Sequence, residues 1–357
     1  MEVLPRSAGG IGRHVSEIVS ALDGREGIHV DVAGPPMDVS MPKEILSVDI
    51  PDGPGRGHGA AMRALASLIR SYDVVHAHGL RACLDAAPGS KARRRPIVLT
   101  VHNLIRGDIA GRRKARFYRW AEPLAVRASA HTIAPSEEIA RHLREVVPRR
   151  RHRIEVVYAR APEPRADRSA DEIRSELGIA DGGRLVVTAA RLHPQKALHV
   201  MLRAVARLPE DVILAIAGEG PLKDELRALA VGLGIDQRVR WLGWREDGAD
   251  LIAAGDVFCL SSKWEAVALA AQEAVLLQTP VVTTNVGGMS ELVRDRISGR
   301  MVEPNDPEAL ASALLDALDP SVGARFAAAA GREYARRFST GVMVERLAAI
   351  YRELAGA

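Results

Sequence analysis

Cysteine is nearly absent from this chain. Cys83 and Cys259 are its only two, far apart, which excludes a disulfide framework and matches no metal-site spacing. Each suits a core position in a reducing compartment. Aromatic residues make up only 4% of the sequence, too few to stack the bases of a nucleic acid, so nucleic acid is not an expected partner. No apolar run approaches the roughly 18 residues of a membrane span, and no signal peptide opens the chain. There is no Asp-x-Asp, and no histidine cluster with ligand spacing is expected, so neither a metal nor another cofactor is implied. These absences point to a cytoplasmic protein.

What is present is length and small apolar residues. A chain of 357 residues, 47% hydrophobic and rich in Ala, Val and Leu, is too long for one ordinary core and suits helices packed on parallel sheets. Charge is uneven. Residues 1–165 hold 27 Lys+Arg against 18 Asp+Glu, a net of +9, whereas the remainder carries −5. The basic half contains the clusters 91–95, 112–119 and 149–153, which fit a solvated surface, an anionic acceptor or an anionic membrane face. Peripheral attachment at the inner membrane face therefore stays open. The segment 112–128 adds Phe117, Trp120 and Leu124 on one helical side, although Pro123 argues against one straight helix.

Strand-like and helix-like segments alternate from end to end. The predicted strands are 28–34, 45–50, 73–78, 97–102, 131–135 and 154–158, then 185–190, 212–217, 239–242, 256–260 and 280–284. Helical patterns cover 13–22, 60–71, 112–128 and 137–147, then 197–208, 222–233, 247–254, 266–277, 307–317, 321–338 and 340–354. A polar, Pro-rich stretch near 160–170 separates the series. The implied fold is α/β, two doubly wound Rossmann-like domains. The expected divisions are 1–162, 163–335 and a terminal segment 336–357. The first strand, before Gly9, is shortened.

Ligands of such sheets bind beyond the carboxyl ends of strands, and the chemistry-bearing residues fall there. Gly9, Gly10 and Gly12 form a glycine-rich loop ahead of the first helix. The pattern fails as a dinucleotide fingerprint because Val15 stands where Gly or Ala is needed. It suits a backbone that approaches a phosphate or acceptor closely, or a plain tight turn. His102 ends a strand. Arg191 and Lys196 bracket the loop Arg-Leu-His-Pro-Gln-Lys, a cationic pair able to hold a diphosphate by a planar fork and a point charge. Glu265 is expected at or just before a helix N-terminus, with Glu273 eight residues on, roughly 12 Å along the axis. Two carboxylates flanking an anion-attracting helix start suit an extended ligand with a diphosphate in its middle, such as a nucleotide sugar.

Taken together, several motifs in order resemble glycosyltransferase family 4, retaining enzymes of GT-B fold. They are Gly9-Gly10-Ile11-Gly12-Arg13-His14-Val15, Thr100-Val101-His102, Ala134-Pro135-Ser136, Ala190-Arg191-Leu192 with Gln195-Lys196, Ala217-Gly218-Glu219-Gly220-Pro221-Leu222, the Glu265…Glu273 pair, and Val286-Gly287-Gly288-Met289-Ser290-Glu291-Leu292-Val293. The resemblance implies two domains facing across a cleft and a terminal helix returning to the first. It implies that Arg191 and Lys196 bind the donor diphosphate, Glu265 contacts the donor sugar, Glu273 the ribose, His102 lines the sugar site and the Gly9–Gly12 loop backs the reacting centre. Gly218 and Glu219 belong to the donor side, as do Ala266, Val267 and Ala268, which stand where the family often has Gly-Phe-Gly. Tyr158-Ala159-Arg160 replaces a frequent Pro-Asn-Gly. The partners implied are a nucleotide-sugar donor and a glycan, lipid-linked sugar or small-molecule acceptor. A non-catalytic nucleotide-sugar-binding protein and a nucleotide-sugar epimerase are the alternatives.

Overall fold

A computed structural model describes residues 1–5, 10–36, 40–51, 56–104, 112–148 and 152–356, with the side chains of 112–115 not described. In chain order the elements are β1 (Glu2–Val3), α1 (Gly10–Leu22), β2 (Val32–Gly34), β3 (Ile45–Ser47), α2 (His58–Ile69), β4 (Val75–His78), α3 (Leu80–Arg93), β5 (Ile97–Thr100), α4 (Arg112–Ala128), β6 (His131–Ala134), α5 (Glu137–Val146) and β7 (Arg153–Val156). There follow α6 (Ala170–Glu176), β8 (Arg184–Ala189), α7 (Leu198–Val205), β9 (Val212–Ala217), α8 (Lys223–Gly232), β10 (Val239–Gly243), α9 (Gly248–Ala254), β11 (Val257–Leu260), α10 (Leu269–Leu276), β12 (Val281–Thr284), α11 (Met289–Leu292), β13 (Arg300–Val302), α12 (Pro307–Ala317), α13 (Pro320–Arg337) and α14 (Thr340–Ala355).

The chain divides into two compact units, one of Met1–Pro162 with Phe338–Ala357 and one of Glu163–Arg337. The first unit holds a seven-stranded parallel sheet ordered β3-β2-β1-β4-β5-β6-β7. Its strand order reverses between β1 and β4, the switch point of a doubly wound sheet. β1 has only two residues yet lies between β2 and β4, pairing Glu2 with Val32 and His76, and Val3 with Ala33 and Ala77. Bonds at either end extend it: His76 N–H donates to Met1 O at 2.9 Å and Leu4 N–H to Ala33 O at 2.9 Å. Val15, Ile18, Val19 and Leu22 of α1 and Met343, Val344, Leu347 and Tyr351 of α14 share one core with Leu4, Val32, Val98 and Ile133.

In the second unit a six-stranded parallel sheet runs β10-β9-β8-β11-β12-β13, with its switch point between β8 and β11. Its strands β9 and β11 are continuous apolar runs, nearly all buried, as a covered parallel sheet requires. The largest core joins β8, β9 and α7 to α12 and Phe326 of α13.

Four elements lie outside the expected series, among them the single-turn α11. α3, absent from the expected helices, carries Pro88, Gly89 and Ser90 within it. The helix persists because Gly89 lets it press on α2, where an added Cβ would stand 2.7 Å from Ala66 Cα. α6 occupies the end of the presumed linker, started by a reciprocal Ser169–Glu172 capping box. β13 is a three-residue edge strand too short to show periodicity. α4 continues across Pro123 as a single element. Trp120 on it is 64% exposed, so that aromatic is no core contact in this unit.

Replacing Gly89 by Val should lower the denaturant midpoint of the first unit by the equivalent of about 1–3 kcal/mol, the scale of overpacking, with the slope of the transition unchanged. A midpoint equal to wild type would show that α2 and α3 can part at no cost.

Candidate active site

In the second unit, three loops converge at the carboxyl ends of β9, β8 and β11. The loop after β8 is locked to the loop after β9: Ala190 N–H donates to Ala217 O, Leu192 N–H to Glu219 O and Leu222 N–H to Leu192 O, at 2.9, 2.9 and 3.1 Å. Glycine is required at this contact. A Cβ on Gly218, whose φ is +140°, would stand 2.0 Å from Ala190 O, and one on Gly220 would stand 2.4 Å from Leu192 O. Glu219 itself is bonded to Lys223 at 3.1 Å.

Beyond Arg191 the chain makes a single 3-10 turn over Pro194–Lys196, with Ala197 in the left-handed region at φ 46°. That turn aims Lys196 inward. Its Nζ donates to Glu265 Oε1 at 2.6 Å, and Ser262 Oγ donates to the same oxygen at 2.6 Å. Both side chains are largely buried, at 15% and 8% exposure. The backbone fixes the pair further. Lys263 N–H donates to Gln195 O, Gln195 Nε2 to Trp264 O, and Gly288 N–H to Glu265 O, at 2.7, 2.9 and 3.2 Å. Among the described residues no donor is bonded to Glu265 Oε2 and no carboxylate pairs with Arg191, which is exposed. His193 lies between the two cations and is held below the usual imidazole range by burial, Arg191 and Lys196. The indole Nε1 of buried Trp264 has no hydrogen-bond partner among the described residues.

The segment after β11 corrects the expected helix. Residues 266–268 bend instead, and α10 starts at Leu269, so Glu265 stands four residues ahead of it and Glu273 lies in its second turn. The chain cannot helix earlier because Glu265 is drawn back to Lys196 and Ser262. The 12 Å axial separation therefore does not apply. Val267, Ala268 and Glu273 are buried, and Ala266 is half-buried.

In the first unit, Gly10 and Gly12 fall in the opening turn of α1 rather than in a loop, and Gly9 lies outside the described residues. His102, just past β5, is buried within a polar network that spacing alone did not disclose. His78 Nδ1 is 2.9 Å from His102 Nε2, and His78 Nε2 is 2.7 Å from Glu2 Oε2. Tyr351 Oη donates to Glu2 Oε1 at 2.8 Å and lies 2.5 Å from His76 Nδ1, while His76 Nε2 is 2.7 Å from Thr100 Oγ1. His14, from α1, packs edgewise on His102 with ring centroids 5.6 Å apart. This corrects the expectation that no histidine cluster exists. Glu2, His76 and His78 bring possible ligand atoms within 4.8 Å of one another, because parallel register sets Glu2 beside His76, and His78 follows on the same face. All three donor atoms are already engaged in hydrogen bonds.

Burial would raise the Glu2 carboxyl, but His76 and His78 more than reverse this and hold it well below the ordinary range. Burial and the neighbouring imidazoles pull His14 down to about 3 and His102 well below its usual value. Burial and His76 bring His78 to about 4.

With this geometry established, relatives decide the family. Residues 8–159 match the model for Glycosyltransferase Family 4, and residues 169–336 that for Glycosyl transferases group 1. A D-inositol 3-phosphate glycosyltransferase of Xylanimonas cellulosilytica is 30% identical over 93% of this chain and 88% of its own length. The chain belongs to glycosyltransferase family 4. An uncharacterized glycosyltransferase of Methanocaldococcus jannaschii is 25% identical over 68% of this chain, which spans 65% of that relative's length. The crystal structure of Anabaena Alr3699/HepE in complex with UDP-glucose superposes with a TM-score of 0.83 at 21% identity, covering 99% of both chains. The two parallel sheets are thus the two Rossmann-like domains of the GT-B fold. Among the described residues no helix is long and apolar enough to cross a membrane.

Sequence reasoning did not single out Lys263, a third cation on these loops, whose charge adds to burial in depressing His199. Its position two residues before Glu265 was the available signal. It also missed Glu2, Thr100 and Tyr351, which only the sheet register and α14 bring to the histidines.

An unfolded histidine takes up its proton near pH 6.5, whereas His78, His14 and His102 stay neutral in the folded unit to lower pH. Between those limits the unfolded state binds more protons, so stability must fall as pH falls. The first unit should lose roughly 1.4 kcal/mol per pH unit for each such histidine from about pH 6.5 downward. Denaturant midpoints at pH 7.5, 6 and 5 measure this; a flat profile would mean that these histidines titrate in the folded protein as they do in the unfolded chain.

Proposed function

We propose that the chain is a retaining, metal-independent glycosyltransferase that moves a sugar from a nucleotide-diphosphate donor to an acceptor hydroxyl. The supporting observation is the group formed by Arg191, Lys196 and Glu265 at the carboxyl ends of β8 and β11, the switch point of the second sheet. Ligands of open α/β sheets bind there, and two cations held by the backbone suit a diphosphate. The UDP-glucose bound by the Anabaena protein makes a uridine diphosphate sugar the first donor to test.

In this reading the bond between the anomeric carbon and the leaving phosphate oxygen breaks, and its electron pair stays on the diphosphate. Arg191 and Lys196 offset the charge that grows there, the role of a preorganised electrophile. The acceptor oxygen forms the new bond on the same face of the sugar, and its proton passes to the departing phosphate. Glu265 orients Lys196 through Oε1 and offers Oε2 to a sugar hydroxyl. Glu273 takes the ribose hydroxyls. Gly218, Glu219 and the bend Ala266-Val267-Ala268 approach the donor through backbone. By the family resemblance His102 is assigned to the sugar, and Gly9, Gly10 and Gly12 to the reacting centre. The fixed cations supply charge that a divalent ion would otherwise bring.

Thermal-shift measurements with UDP, GDP, ADP and their sugars should show one nucleotide that raises the melting temperature, since a ligand of the native state alone stabilises it. No shift with any of them would sink the donor reading. Product anomeric configuration by NMR tests retention, and turnover in EDTA tests metal independence.

Lys196→Ala should cut turnover at least about a hundredfold, the scale of losing one preorganised donor to a transition-state anion. Near-normal turnover would remove Lys196 from that role. Glu273→Ala should raise the donor KM more than it lowers kcat, because a ribose contact is made equally in ground and transition states. A KM equal to wild type would reject the ribose contact.

A further inference from the structure

The polar network in the first domain has one self-consistent proton arrangement. Glu2 is 1% exposed, and its carboxylate can only accept. His78 Nε2, 2.7 Å from Oε2, must therefore carry a hydrogen. A neutral His78 then presents a bare Nδ1, so His102 Nε2, 2.9 Å away, must donate to it. On the other branch the Tyr351 hydroxyl hydrogen goes to Glu2 Oε1, at 2.8 Å. His76 Nδ1–H then points between Tyr351 Oη and Glu2 Oε2, at 2.5 and 3.1 Å, and His76 Nε2 accepts from the Thr100 hydroxyl at 2.7 Å. Every donor meets an acceptor, and reversing any single link sets two hydrogens or two lone pairs against each other.

We propose that Glu2 is a positioning residue which, through His78, fixes His102 as the tautomer with hydrogen on Nε2 and a bare Nδ1, so that His102 offers the substrate sugar a hydrogen-bond acceptor. This rests on the reading of His102 as a wall of the sugar site. Its consequence is selectivity. A bare nitrogen takes a hydroxyl and rejects a deoxy sugar or a carbonyl at that place, because an acceptor covered by the sugar is then left unpaired. Nothing in the sequence order of Glu2, His78 and His102 announces such a relay. It is built by register, with Glu2 beside His76 on adjacent strands and His78 two residues farther along.

Imidazole nitrogen NMR on the full-length protein tests the arrangement without any activity measurement. Wild type should show His102 with hydrogen on Nε2 only. In Glu2→Gln the amide can donate to His78 Nε2, which frees the chain to invert, and His102 should shift toward the form with hydrogen on Nδ1. Donor kcat/KM should fall about 10- to 100-fold, the usual loss when an orienting partner of a functional histidine is removed. The same substitution in a His102→Ala background should cost nothing more. Tyr351→Phe keeps both links of the relay and should leave the His102 tautomer as in wild type, which serves as the control if Glu2→Gln does not fold.

Wild-type His102 with hydrogen on Nδ1 overturns the proposal, as does stoichiometric metal in the purified protein, since an ion on His78 Nε2 would reverse the chain. An equal loss from Glu2→Gln with and without His102 reduces Glu2 to a structural role and also overturns it. Full activity in His102→Ala, with the NMR tautomer as assigned, removes the sugar-site reading and with it the functional role, while leaving the proton arrangement standing.

Discussion

Two backbone carbonyls, those of Ala190 and Leu192, leave no space for a side chain at Gly218 or Gly220, and the second domain's site depends on that fit. The close approach brings three backbone hydrogen bonds into register and turns the loop after β8 into a fixed platform. From the platform the 3-10 turn delivers Lys196 to Glu265. Glu265 is gripped in turn by Ser262, whose own carbonyl accepts from Thr284 Oγ1 at 2.6 Å. Constraint thus passes through loops at the ends of β9, β8, β11 and β12, and the cation reaches its place without needing a ligand to order it.

That ordering matters more than the strength of the ion pair. Desolvating an ammonium and a carboxylate costs about what their attraction returns, so the Lys196–Glu265 pair contributes little net stability. Its value lies in direction. A lysine on four methylenes is otherwise a mobile charge, and a charge that must reorient during bond cleavage stabilises less of the transition state. The two loops therefore convert a flexible side chain into a stationary electrode. Arg191 is exposed and has no carboxylate partner among the described residues, and the same loop holds its backbone.

Much of this was legible in the sequence, and the misses share a cause. The alternation of apolar strands with amphipathic helices disclosed both parallel sheets, and Arg191, Lys196 and Glu265 stood out because charged residues at strand ends are conspicuous in an apolar pattern. The bend at 266–268 was not legible: Ala-Val-Ala-Leu-Ala-Ala is a good helix former, and only the pull of Lys196 and Ser262 on Glu265 delays the helix. α3 was hidden because Pro88 and Gly89 signal a turn locally, whereas the packing on Ala66 rewards a glycine there. The Glu2–His78–His102 network was invisible for a third reason. Its members lie on two strands and just past a third, and a sequence does not state register. Single residues announced themselves where local pattern decides; where distant segments decide, they did not.

Tyr351 lies 349 residues after the carboxylate it bonds. The first domain's central charge is therefore incompletely solvated by protein until the last helix arrives. During synthesis the ribosome must finish the whole of the second domain before α14 emerges, so the amino-terminal sheet waits with an unsealed polar seam while its neighbour can already fold. In the cell, the half of this enzyme that is made first is completed last.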